Sequence, residues 1–291
     1  MSTTRRTAEE ARAALDAYDA DWGKRAVRKA YAALGDDTTL SRFVKTGHAA
    51  EAPVRQRQLT FDGMRNTSIE AGRSLFHRGG VKPPLAQTNV LVSGHSNVKI
   101  GRDVRKGRAF RGYYIYTLSL EERATCPASC LHWTTCYGNN MPWAKRVDHR
   151  DANALYLAIE RDIRRLLRGR VGILVRLHAL GDFFSTDYVR FWVRMLDTYP
   201  TLAVFGYTAR DPNDPIGTAI ARVKRSKLLG PRFMIRWSNG GRRRDCTVSV
   251  LRAKDAPASA IVCPEQTGRT RCCATCGLCW NTDRNIAFVE H

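Results

Sequence analysis

The stretch VGILVRLHALGDFFS, residues 171–185, decides the fold. It opens as an apolar run of strand length, turns polar where a strand should end, and bends at Gly181-Asp182. A helical pattern follows over 186–199, with Val189, Trp192, Val193 and Leu196 on one side and Asp182 to Ser185 placed to cap its start. The same unit repeats outward from here. Downstream, 202–208 reads as a strand, 216–228 as a helix and 232–237 as a strand, with short strands at 247–251, 260–262 and 286–289. Upstream, 113–120 reads as a strand and 148–167 as a long helix, preceded by short strands at 90–92 and 97–100. This alternation predicts an α/β fold with mostly parallel strands, arranged as a partial (βα) barrel. Such folds carry their chemistry at the C-terminal ends of the strands.

Residues 1–88 read as an N-terminal extension, with helices over 5–35 and irregular, Gly- and Pro-punctuated chain after them. The βα core spans 89–262, and a Cys-rich, metal-binding segment occupies 263–291. At 291 residues with 43% hydrophobic content, the chain is long enough to bury a core without disulfides and is not mainly disordered. It has no apolar run long enough to span a membrane and no secretory h-region near its start, so the expected location is the cytoplasm. The net charge is +21, from 48 Lys and Arg against 27 Asp and Glu. A surplus of that size favours a polyanionic partner, and nucleic acid is the commonest one. The basic runs Arg164, Arg165, Arg168 and Arg170, then Arg222, Lys224, Arg225 and Lys227, then Arg242 to Arg244, together with Trp133, Trp143 and Trp237, are candidates for a nucleic-acid track.

Two cysteine groups stand out. Cys126, Cys130 and Cys136 fall within eleven residues directly after a strand. Three thiolates on one loop suit an iron–sulfur cluster with one open iron, or three quarters of a zinc site completed by His132 or a distant Cys such as Cys246. Cys263, Cys272, Cys273, Cys276 and Cys279 fall within 17 residues, with C-x2-C-x2-C at 273, 276 and 279. Cys263 is the expected fourth ligand, Cys272 the spare and His291 a competitor. All-thiolate ligation serves zinc and iron–sulfur clusters alike.

Between the groups, successive strands end in polar residues: His178, Gly181 and Asp182, then Tyr207 to Arg210, then Ser238 to Gly241. Three such ends point to one shared cavity lined by His178, Asp182, Tyr207, Arg210 and Ser238, with Gly181 permitting close backbone approach.

The motifs Cys126-Pro-x-x-Cys130 through Cys136-Tyr137, Gly181-Asp182-Phe183-Phe184-Ser185-x-x-Tyr188-x-x-x-Trp192, and Tyr207-Thr208 resemble the phage gene product 88 family over roughly 113–291. At a further remove, the order of features is similar to radical S-adenosylmethionine enzymes. Those place a three-cysteine loop ending in Cys-aromatic after the first barrel strand and a Gly-Gly-Glu motif after the second. This chain has C-x3-C-x5-C in place of C-x3-C-x2-C, and Gly181-Asp182 where Gly-Gly-Glu would stand. The resemblance implies one or two [4Fe–4S] clusters, S-adenosylmethionine held near Tyr137, Gly181 and Asp182, and an enzyme that modifies nucleic acid. A rival likeness, to the zinc site of tRNA-guanine transglycosylases and their DNA-modifying phage relatives, implies base exchange at Asp182 with zinc on the C-terminal cysteines. It leaves Cys126, Cys130 and Cys136 unexplained. A non-catalytic, metal-stabilised nucleic-acid-binding protein is the third expectation.

Overall fold

A computed structural model describes residues 66–85, 89–105, 109–238 and 244–290. The expected N-terminal helices, Asn239 to Arg243 and His291 lie outside the described residues. The centre is an eight-stranded sheet made of β1 (Val92–Ser93), β2 (Tyr114–Thr117), β3 (Ile173–Leu177), β4 (Leu202–Thr208), β5 (Phe233–Ser238), β6 (Cys246–Val250), β7 (Ala260–Val262) and β8 (Asn285–Val289). Their spatial order is β1-β2-β3-β4-β5-β6-β8-β7. Every neighbouring pair is parallel except β1 with β2. The sheet is open, with β1 and β7 at its edges; among the described residues no barrel closes.

Three crossover helices join the central strands: α1 (Ala152–Leu167), α2 (Thr186–Thr198) and α3 (Pro215–Arg225). Each starts at an acceptor side chain that takes a free backbone N–H of the first turn: Asp151 from Ala154, Ser185 from Tyr188, and Asp214 from Gly217. Their apolar stripes, including Leu155, Ile159, Ile163, Tyr188, Trp192 and Ile220, pack on Ile173, Val175, Leu177, Val204 and Ile235. The alternate residues of the same strands face the other way. Ile115, Leu174, Ala203 and Phe205 there meet Ile100, Val104, Cys272, Ala274 and Trp280. A strand covered on both faces reads as one continuous apolar run, which is why 171–177 looks as it does.

The C-terminal segment is built into this architecture. Its helical turns Cys273–Cys276 and Leu278–Asn281 cover the second face, and β8 then fills the position between β6 and β7. Residues 97–100 form a turn, contrary to the expected strand. The Asn97 carbonyl oxygen of the side chain accepts from Lys99 N, and its backbone carbonyl accepts from Ile100 N and Gly101 N. That local bonding outcompetes a ladder. The Lys99 and Ile100 carbonyls are then free to accept from Cys273 N and Ala274 N, which docks the C-terminal segment. No helix among the described residues is long and apolar enough to cross a membrane.

Candidate functional site

The Cys126–Cys136 loop leaves the C-terminal end of β2 and is held from below by buried charge. Glu122 receives a two-pronged ion pair from Arg146 (Nε–Oε2 2.7 Å, Nη2–Oε1 3.0 Å) and a hydrogen bond from Ser74 Oγ at 2.7 Å. Arg146 is fully buried and also donates to the carbonyls of Gly138, Met141 and Ala144. Arg123, in the left-handed region at φ 64°, donates to Trp133 O at 2.8 Å and Asn139 Oδ1 at 2.6 Å. Asn139 in turn donates to Thr134 O. The loop therefore has fixed carbonyls on both sides of Cys136. Further out, His132 Nε2 lies 2.9 Å from Ser249 Oγ, so the loop reaches from β2 to β6.

Within this loop burial raises all three thiols, Cys136 to about 11. For Cys126 the Asp182 carboxylate and the Cys136 and Cys130 thiols push the same way. The three sulfurs thus share one electrostatic environment, and Asp182 belongs to it.

Asp182 is the knot of the strand ends. Its Oδ1 accepts from Phe183 N and Thr208 Oγ1, each at 2.7 Å, and its Oδ2 accepts from Ala209 N at 2.7 Å. Burial lifts its carboxyl to about 6 against the pull of those donors and Arg210. Its own N–H donates to Thr125 Oγ1 at 3.0 Å. Arg210 ties the same three loops, donating through Nε to Phe183 O and through Nη2 to Thr125 O, each at 2.8 Å. Gly181 makes the approach possible. At φ 85°, a Cβ there would sit 2.7 Å from Thr125 Oγ1 and 2.9 Å from Leu120 Cβ.

The other predicted residues are placed elsewhere. His178 is buried in the helix-side core, with Nε2 3.1 Å from the Tyr188 hydroxyl and its ring edge-on to Phe183. Burial, with Arg176 adding, pushes its imidazole down to about 3, so it is neutral. Tyr207 faces the opposite side of the sheet. Its hydroxyl lies 2.9 Å from Cys279 Sγ, which joins it to the C-terminal thiols and not to Asp182. Ser238 ends β5, half-buried opposite Thr247. Tyr137 is exposed beside Cys136.

Cys263, Cys273, Cys276 and Cys279 line a single hollow with Glu265 and Trp280. Cys272 points away, against Gly101 and the Thr275 hydroxyl. Burial raises Cys263, to about 11, and also Cys273 and Cys276, and a neighbouring thiol adds to each. Among the described residues no group of three or more His, Cys, Asp and Glu side chains is gathered to hold a metal ion. The segment is thus a thiol-lined hollow, with its donors spread around a space instead of drawn to a point.

A family model described as gene product 88 matches residues 90–282, a span that holds both cysteine groups and the Asp182 knot. The chain belongs to the gene product 88 family. Another gene product 88 protein, the Gene 88 protein of Mycobacterium phage L5, is 29% identical over 140 residues, which cover 40% of this chain and 54% of that protein. The chain thus spans about half the length of this curated relative. No solved structure matches this gene product 88 chain.

Several residues that build the site carry no signal in the sequence. Thr125, Arg123 and Arg146 support the loop, and Arg236 anchors the C-terminal segment by donating to the carbonyls of Cys279, Thr282 and Arg284. The basic runs noted in the sequence have a different place. Arg164 and Arg165 lie in the last turn of α1, and Arg222, Lys224 and Arg225 in the last turn of α3. A crossover helix ends near the start of the next strand, so both runs lie at the end of the sheet away from the cysteine loop. There they complement the helix dipoles. Trp237 is buried with the Lys224 ammonium over its ring, whereas Trp143 is 96% exposed.

Proposed function

We propose that this protein is an iron–sulfur enzyme, similar to radical S-adenosylmethionine enzymes, that acts on nucleic acid. The observation that carries it is the immobilised loop bearing Cys126, Cys130 and Cys136 over the strand ends, with three half-buried thiols in one electrostatic environment beside Asp182. Thiols release their protons to ligate a metal, and the bound metal then offsets the negative charge that the surroundings disfavour. The donor set is all sulfur, which suits iron in a cluster, and the thiols of the C-terminal hollow are spread as corners of a larger body would require. Cys126, Cys130 and Cys136 would hold one [4Fe–4S] cluster, and Cys263, Cys273, Cys276 and Cys279 a second. Together with S-adenosylmethionine, such a cluster supplies one-electron chemistry.

The chain's own residues set the stage for it. Thr125, Asp182 and Arg210 lock three strand-end loops into one rigid floor, with Gly181 letting the backbone of β3 come close. Arg123 and Arg146 fix the cysteine loop above that floor. Exposed Tyr137 and Trp143, just after the loop, offer rings on which a base can stack, and the charge of +21 attracts the phosphate backbone. Zinc-dependent base exchange at Asp182 ranks second, because both Asp182 carboxylate oxygens already accept internal donors.

The test is anaerobic purification followed by absorption spectroscopy and iron, sulfide and zinc analysis, then reductive cleavage of S-adenosylmethionine with and without single-stranded nucleic acid. A brown protein with about four or eight irons per chain that cleaves S-adenosylmethionine supports the reading. A colourless zinc protein overturns it.

A further inference from the structure

On the second face of the sheet, one cation has no matching carboxylate among the described residues. Arg176, on β3, lays its guanidinium over the Tyr207 ring at 4.3 Å from the centroid and over Phe205 at 5.6 Å. Its Nε is buried without a hydrogen-bond partner, and among the described residues no carboxylate pairs with it within 4.0 Å. The next group beyond Tyr207 is sulfur, because the Tyr207 hydroxyl lies 2.9 Å from Cys279 Sγ. Cys279 and Cys273 belong to the four-thiol hollow. A half-buried guanidinium with a buried, unpartnered Nε, stacked on a phenol whose hydroxyl reaches a thiol, is an arrangement with an unmet donor. It becomes favourable when the sulfurs carry negative charge, since the cation then offsets them and the phenol donates to a thiolate.

We infer that Arg176 and Tyr207 are positioning residues for a redox-active centre on Cys263, Cys273, Cys276 and Cys279, and that they raise its reduction potential. The inference rests on the reading of that hollow as an iron–sulfur site. Adding one electron to a thiolate-held cluster adds one negative charge and neither makes nor breaks a bond in the protein. A fixed cation and a hydrogen bond to sulfur stabilise that added charge. The electron comes from an external one-electron reductant, dithionite in the experiment below. A centre that only braced the fold would need no such tuning.

The test uses the full-length chain with Cys126, Cys130 and Cys136 replaced by Ser, which isolates the C-terminal centre. After anaerobic reconstitution with iron and sulfide, a dithionite titration followed by electron paramagnetic resonance gives the midpoint potential. Arg176→Met and Tyr207→Phe are each expected to keep the iron content and lower the midpoint. The expected shift for Arg176→Met is about tenfold in the ratio of reduced to oxidised centre at a fixed potential, about 59 mV for one electron. Arg176→Lys, which keeps charge but not the flat stack, is expected to fall between wild type and Arg176→Met. Full iron content with an unmoved midpoint in both Arg176→Met and Tyr207→Phe overturns the inference while leaving the cluster in place. A background protein that takes up zinc but no iron overturns the cluster reading, and the inference with it. Should Arg176→Met fail to fold, Tyr207→Phe, which removes one oxygen, decides the question.

Discussion

The backbone N–H of Asp182 donates to Thr125 Oγ1 at 3.0 Å, and the same hydroxyl donates to Glu121 O at 2.8 Å. One threonine thus joins the end of β3 to the segment that leads into the cysteine loop. Replacing it by valine keeps the shape and strands a buried N–H. Thr125→Val is expected to cost about 1–3 kcal/mol, read as a lowered urea midpoint with unchanged slope.

Asp182 has a carboxyl raised to about 6 by burial, against an ordinary value of 3.8. Between about pH 4 and pH 6 the folded protein holds a proton that the unfolded chain has released, so the stability contributed by this group is lost as pH rises through that window. The change is on the order of 3 kcal/mol. Asp182→Asn removes the titration. Subtracting its pH–stability curve from that of wild type is expected to isolate a fall over pH 4–6, and a flat difference would show that the carboxyl titrates normally.

Arg146 and Glu122 form a fully buried pair under the loop. Arg146→Met leaves Glu122 as an unpaired buried charge and frees three loop carbonyls. The expected loss is about 3–5 kcal/mol, together with loss of the proposed first cluster, measured by thermal unfolding and by iron content per chain.

Trp143 is nearly fully exposed, so its replacement should leave the fold alone. Trp143→Ala is expected to weaken single-stranded nucleic-acid binding by about 1–3 kcal/mol at fixed salt, read by fluorescence anisotropy, with no change in Tm. Charge reversal at Arg164 and Arg165, at the other end of the sheet, is expected to leave that Trp143-dependent component intact.

Much of this was legible in the residues. The run at 171–177 announced a buried strand, and the Asp182 to Ser185 cap marked the start of α2, where Ser185 takes the Tyr188 N–H. The cysteine spacings grouped Cys263 with Cys273, Cys276 and Cys279, and these line one hollow. What stayed hidden was direction and pairing. His178 and Asp182 both read as polar residues at a strand end, yet His178 turns into the aromatic core and Asp182 into the loops. Arg123, Arg146, Arg176 and Arg236 are indistinguishable in the sequence from the surface arginines around them, because their partners are carbonyls, rings and, for Arg146, the Glu122 carboxylate, brought to them by the fold and not by any spacing pattern. Residues 97–100 form a turn although Val98 and Ile100 alternate like a strand, because the Asn97 side chain dictates the bend.

The position of β8 between β6 and β7 has a consequence for how the molecule is made. Strands synthesised early cannot complete the sheet, because the strand that joins them is the last of the eight to emerge. Until residues 285–289 arrive, β6 presents a bare edge with open hydrogen-bonding groups, and β7 has no neighbour at all. The nascent chain therefore spends its synthesis with a sticky border exposed, and its half-made form is the one most in need of a chaperone.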